Sequence, residues 1–196
     1  MRKVILASQS QHRKLILSYL NVPFEVLPAD IDEKAIRDDD PSKRAEKIAR
    51  AKAEKIASNN DGVIVAADTF TVLDGKVLEK PKDKEEAKVF LKMLSGKSGY
   101  DLTGFCYLDR EKNIDYSKTF RTDFTFRELY KDEIEGYVKN NPVTEWAAGF
   151  GFMAPYTTTM ISEIHGSFAG LAYGFPIEIV VPLLRKSGFE PIPTKV

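Results

Sequence analysis

Short apolar runs alternate along this chain with stretches whose apolar residues fall at helical spacing. Residues 3–7 read as a short strand buried on both faces, with Val4-Ile5-Leu6-Ala7 apolar on consecutive positions. Residues 11–20 follow with Leu15, Ile16 and Leu20 at helical spacing. A second strand is predicted over 24–28, then an acidic loop, Asp30-Ile31-Asp32-Glu33, then a long helix over 42–57 opened by Pro41-Ser42. Residues 63–68 and 71–78 read as two further strands, joined through the Asp74-Gly75 turn. A helix over 84–94 ends at Ser95-Gly96. Strands over 100–109 and 116–126 come next, then a helix over 131–139. The stretch 146–151 reads as a close-packed loop, 157–164 as a strand and 176–186 as a last helix. Strands interleaved with helices make an α/β fold, and the hairpins make its sheet mixed rather than purely parallel.

The chain's 196 residues suffice for a single domain with a sizeable core, and no linker or repeat divides them. Its 29 basic and 29 acidic residues cancel, so bulk charge draws it toward neither nucleic acid nor membrane. No apolar run is long enough to span a bilayer. The lone Cys106 cannot form an internal disulfide, which fits a cytoplasmic setting.

The candidate chemistry lies in polar groups placed where packing alone does not require them. In Leu6-Ala7-Ser8-Gln9-Ser10-Gln11-His12-Arg13 a strand end feeds a helix start, bringing free backbone N–H groups, the positive end of a helix dipole, two hydroxyls and cationic side chains to one place. That combination suits a phosphate group; a capping serine beside a solvated arginine is the plainer alternative. In the long helix, Lys52 falls inside the stripe formed by Ala45, Ile48, Ala49, Ala53 and Ile56. A coreward ammonium needs an anion or a cleft, unless its stem merely snorkels along the surface. Asp68 closes the apolar run Ile64-Val65-Ala66-Ala67, where a metal ligand or a general base, or a turn-capping aspartate, would stand. Glu33 in the acidic loop and Lys80 before Pro81 complete the set.

Cations and carboxylates in this mixture suit phosphoanhydride chemistry. The cations neutralise a triphosphate, carboxylates hold Mg²⁺, and one of them activates water. The markers of other chemistries are missing: there is no P-loop, no dinucleotide-binding glycine motif, no zinc pattern and no nucleophile elbow near His12 or His165.

These residues, in order, resemble those of the Maf (septum-formation) family of nucleoside triphosphate pyrophosphatases. Leu6 to Arg13 is similar to the family's opening Leu-Ala-Ser-x-Ser-Pro-Arg-Arg. Asp30-Ile31-Asp32-Glu33, Ala51-Lys52-Ala53, Ala67-Asp68-Thr69, Lys80-Pro81 and Leu94-Ser95-Gly96 match its later motifs. The resemblance implies an elongated, twisted mixed sheet flanked by helices, with two lobes around a central cleft. It implies hydrolysis between the α and β phosphates of a nucleoside triphosphate, on pyrimidine or modified nucleotides. The implied phosphate-binding residues are Ser8, Ser10, His12 and Arg13. Asp68, Glu33, Lys52 and Lys80 are the implied catalytic residues, with Asp68 and Glu33 also holding Mg²⁺ or Mn²⁺. Thr69 and Met153 fall to substrate specificity, and a homodimer follows by analogy with the family.

Three departures stand out. Gln11 and His12 replace the Pro and first Arg of the opening motif, exchanging a fixed charge for a group mostly neutral at pH 7. Met153 stands where the family usually has Gln, and a thioether cannot donate a hydrogen bond. The segment from Gly166-Ser167-Phe168 to Gly174-Phe175-Pro176 lacks the usual Asn. Two rivals therefore remain: an inosine- or xanthosine-type triphosphate pyrophosphatase, and a nucleotide-binding regulator of cell division without turnover.

Overall fold

The computed structural model describes residues 2–192. Its strands are β1 (Val4–Leu6), β2 (Phe24–Val26), β3 (Val63–Leu73), β4 (Lys76–Leu78), β5 (Ser98–Asp109), β6 (Ile114–Phe126) and β7 (Ile161–His165). Its helices are α1 (Gln11–Ser18), α2 (Pro41–Ala57), α3 (Lys84–Leu94), α4 (Lys131–Asn140), α5 (Thr157–Met160), α6 (Phe168–Tyr173) and α7 (Ile177–Lys186). The seven strands make one mixed sheet in the order β2-β1-β3-β5-β6-β7, with β4 paired to β3. β1 is parallel to both β2 and β3, whereas β3–β4 and β6–β7 are antiparallel.

The chain divides into two compact units. The first holds the residues up to Asp68, Thr103–Phe120 and the residues from Ala169 onward. Here the sheet is covered on both faces, which is why β1 reads as an unbroken apolar run. Val4, Leu6, Val63 and Val65 pack with Leu17 of α1 and with Val180 and Leu184 of α7. Ile5, Ala7, Ile64 and Ala66 pack on the other face with Ala49, Ala53 and Ile56 of α2. Gly104 lets α2 approach β5 closely, because a Cβ there would overlap the Ala45 backbone. Asp40 caps α2 by accepting from Ser42 N at 2.8 Å, and Pro41 occupies its first turn.

The second unit comprises Thr69–Leu102 and Arg121–Phe168. Phe124, Phe126 and Phe150 pack edge to face, with Phe126–Phe150 centroids 5.1 Å apart. α3 buries Ala87, Leu91 and Leu94, and α4 buries Ile134, Tyr137 and Val138. A buried polar pair lies in the sheet, where Thr71 Oγ1 donates to Asp101 Oδ1 at 2.7 Å.

Two local expectations are corrected and one helix is unforeseen. The break anticipated after Asp68 is absent, and β3 runs unbroken from Val63 to Leu73. The threonine run expected to begin a strand instead forms the helical turn α5, with β7 starting only at Ile161. Thr158 and Thr159 stabilise that turn by donating to Pro155 O and Tyr156 O, bonds that extended backbone would lose. The short helix α6 arises in a glycine-rich stretch with no clear period.

Candidate active site

In the first unit, β1 ends at Leu6, and Ala7 N still donates to Val65 O at 2.9 Å. The chain then turns into α1 through Ser8 and Ser10. Ser10 is the N-cap, accepting from Arg13 N at 3.4 Å, while Ser8 Oγ accepts from Ser10 N at 3.2 Å. Arg13 is buried, and its guanidinium is held at both ends: Nη1 donates to Ser8 Oγ at 3.0 Å and Nε to Gly174 O at 3.0 Å. Ser10 is thus the cap, while Ser8 braces the turn and fixes the cation in place at a helix N-terminus, a geometry suited to anions.

On the opposite face of the sheet, Asp68 follows the alternation of Ile64 and Ala66 and so points toward α2. It lies three residues beyond Val65, the partner of β1's last residue. The Lys52 stem passes through the apolar stripe of α2, and its Nζ donates to Asp68 Oδ1 at 2.8 Å. The same ammonium lies 2.9 Å from Glu33 Oε1. Lys52 and Asp68 are each only 8% exposed, so the lysine does not snorkel to solvent. Glu33, by contrast, keeps 48% of its side chain exposed. It sits in a turn capped by Asp32, whose Oδ1 accepts from Lys34 N and Ala35 N.

The charges act on one another. Burial pulls the Arg13 pKa down, while Asp68 and Glu33 pull it back up. Burial raises the Asp68 carboxyl above its ordinary range, Lys52 and Arg13 oppose that, and Glu33 reinforces it. His12 is lowered to about 4 by burial and by Arg13, so it is neutral near pH 7. Ser8, Ser10, His12, Arg13, Glu33, Lys52 and Asp68 all belong to this unit, and hydrogen bonds or electrostatic coupling link them. Thr69, Lys80 and Met153 belong to the second unit. There Lys80 is exposed after β4, next to Glu79 O, which accepts from Ala148 N at 3.0 Å; Met153 is also exposed.

The sequence reading missed two positioning groups. The Gly174 carbonyl carries no side-chain signature beyond the Gly-Phe-Pro punctuation that follows α6. Asp32 looked like one more acid of its loop, although an Asx turn is a recognisable role for that position.

Among the described residues no group of three or more His, Cys, Asp or Glu side chains is placed to hold a metal ion. The Asp68–Glu33 pair nonetheless fits Mg²⁺ in its usual mode, in which one or two carboxylates share the ion with substrate phosphates and water. Both carboxylates already converge on one cation, the Lys52 ammonium. A cavity of about 600 Å³ lies elsewhere in the unit, lined by Arg2, Lys3, Gly62 and Arg110 among others, toward the opposite end of β1 and β3. Two of its cations are committed, Arg2 to Asp109 and Glu111 and Lys3 to Glu25.

The family model described as Maf-like protein matches residues 3–187. The chain belongs to the Maf family. Among Maf relatives it is similar to the dTTP/UTP pyrophosphatase of Pyrococcus furiosus, 37% identical over 188 residues that cover 94% of this chain and 95% of the relative. The dTTP/UTP pyrophosphatase of Aquifex aeolicus matches equally, at 37% identity over 94% of this chain and 95% of that protein. The Bacillus anthracis enzyme of the same name is 33% identical, covering 97% and 98% respectively. A solved structure of a HAM1 protein from Coxiella burnetii shares the fold, with a TM-score of 0.51 at 14% identity over 95% of this chain and 100% of that one.

Proposed function

We propose that this Maf protein hydrolyses the α–β phosphoanhydride of a pyrimidine nucleoside triphosphate, dTTP or UTP, to the monophosphate and pyrophosphate. The observation that carries the reading is the Lys52 ammonium clamped between a buried carboxylate, Asp68, and a more exposed one, Glu33, beside the fixed guanidinium of Arg13. Pyrimidine choice rests on the relatives, which are named for dTTP and UTP.

In this mechanism Arg13 and the first N–H groups of α1 receive phosphate oxygens, and Lys52 neutralises charge as the bond breaks. Asp68 is the general base. Burial raises its proton affinity above that of an ordinary carboxylate, and it takes a proton from the attacking water. The water oxygen bonds to the α-phosphorus, the bridging oxygen leaves with pyrophosphate, and the proton remains on Asp68. Glu33, the more hydrated carboxylate, would hold Mg²⁺, with Asp68 sharing it. Bound Mg²⁺ would supply charge neutralisation to the phosphates. The family resemblance assigns Lys80 to phosphate binding as well, and Thr69 and Met153 to substrate choice. With Met153 in place of an amide, base choice depends more on shape than on a side-chain hydrogen bond.

Pyrophosphate release across dTTP, UTP, dCTP, dATP, dGTP and dITP with Mg²⁺ tests the proposal. The expected result is turnover of dTTP and UTP above the purines. Preferred turnover of dITP would assign the inosine-type activity instead, and binding without release would make the protein a regulator.

A further inference from the structure

Resting on that reading, we infer that Lys52 and the divalent cation compete for the same two carboxylates, so that the metal enters with the nucleotide and not before it. In the free protein the Lys52 ammonium meets Asp68 Oδ1 at 2.8 Å and Glu33 Oε1 at 2.9 Å, joining the two side chains assigned to the metal. Lys52, Asp68 and Arg13 are all at most 9% exposed, so water screens their interactions poorly. Two cations, Arg13 and Lys52, balance two carboxylates, Asp68 and Glu33, while His12 is neutral near pH 7. The ligand-free cluster is therefore already satisfied.

A divalent cation arriving alone finds its carboxylates in use and leaves an excess of positive charge beside Lys52 and Arg13. A triphosphate changes that balance. Its oxygens offer Lys52 an alternative acceptor, which draws the ammonium off at least one carboxylate as the metal arrives. Lysine suits this exchange because its ammonium is a compact charge on a flexible stem, able to move while Arg13 stays tied to Ser8 and Gly174. A bare carboxylate pair would take up metal without substrate. The lysine makes metal loading conditional on the nucleotide.

The test is Mn²⁺ binding to the nucleotide-free protein, followed by electron paramagnetic resonance, in the wild type and in Lys52→Met. Methionine keeps much of the stem's bulk and removes the charge. Loss of the competing ammonium should tighten Mn²⁺ binding by about tenfold or more, within the usual range of coupling between two ligands. Equal or weaker Mn²⁺ binding by a folded Lys52→Met protein would overturn the inference. A second measurement needs no variant: the ¹⁵N resonance of the Lys52 ammonium in the wild type. It should shift when Mg²⁺ and a non-hydrolysable α,β-imido dTTP together saturate the protein. An unmoved resonance at saturation, with binding verified from the analogue's own signals, would also overturn it. Neither measurement depends on turnover. Absence of pyrophosphate release by the wild type would count against the hydrolase reading, while unchanged Mn²⁺ affinity would count against the competition alone.

Discussion

Lys52 Nζ and Asp68 Oδ1 lie 2.8 Å apart, joining the middle of α2 to β3 in a place where both residues are buried. One partner comes from a helix stripe and the other from an alternating strand, so the contact follows from two periodicities meeting across one face of the sheet. It sets the chemistry of the unit, because each buried charge needs a counter-charge there.

Arg13 is held at two points that only a guanidinium can reach together. Arg13→Lys should leave the Gly174 carbonyl or the Ser8 hydroxyl without its donor and weaken nucleotide binding by about tenfold to a hundredfold, the usual range for a charged hydrogen bond. Titration of the protein with a non-hydrolysable dTTP analogue checks this. Unchanged affinity would remove Arg13 from the phosphate site.

Gly104 marks the close approach of β5 to the α2 backbone. Gly104→Ala should destabilise the protein by about 1–3 kcal/mol through overpacking, read from denaturant unfolding. Because α2 carries Lys52, the same change should also lower activity more than a surface substitution does.

The buried Asp101 carboxyl, bonded by Thr71, is pushed up to about 7 by burial, which outweighs that hydrogen bond. A carboxyl whose pKa is raised in the folded state binds more protons there than when unfolded. Its contribution therefore falls as pH rises from about 4 to about 7 and stays low above that. His12, lowered to about 4, acts in the opposite sense, since stability from its neutral form is lost as pH falls from about 6.5 to about 4. The difference between wild type and Asp101→Asn isolates the first effect. The variant should gain melting temperature relative to wild type as pH goes from 5 to 8, and a constant difference would show that Asp101 does not titrate in that window.

Much of this architecture is legible in the residues themselves. Helix α3 is foreseen to its end residues from its apolar spacing and its Ser95-Gly96 stop, and the structure adds its Asp83 cap. Lys52 is recognisable because it occupies a helix position that packing would give to an apolar residue. The continuity of β3 is not legible, since Asp68 looks like the end of a strand until Lys52 is seen to satisfy it. Nor is the hold on Arg13, half of which is the Gly174 backbone carbonyl, 161 positions away in sequence. Partners supplied by backbone or by distant loops leave no local pattern. Side chains placed against their environment do.

The most direct measurement is pyrophosphate release from dTTP with Mg²⁺ by wild type and Asp68→Asn, alongside nucleotide affinity for each. Asparagine keeps the shape but cannot accept the proton of the attacking water. Turnover should fall by about a hundredfold to ten-thousandfold, the usual contribution of a general base, with affinity largely retained. Wild-type turnover in Asp68→Asn would contradict the account.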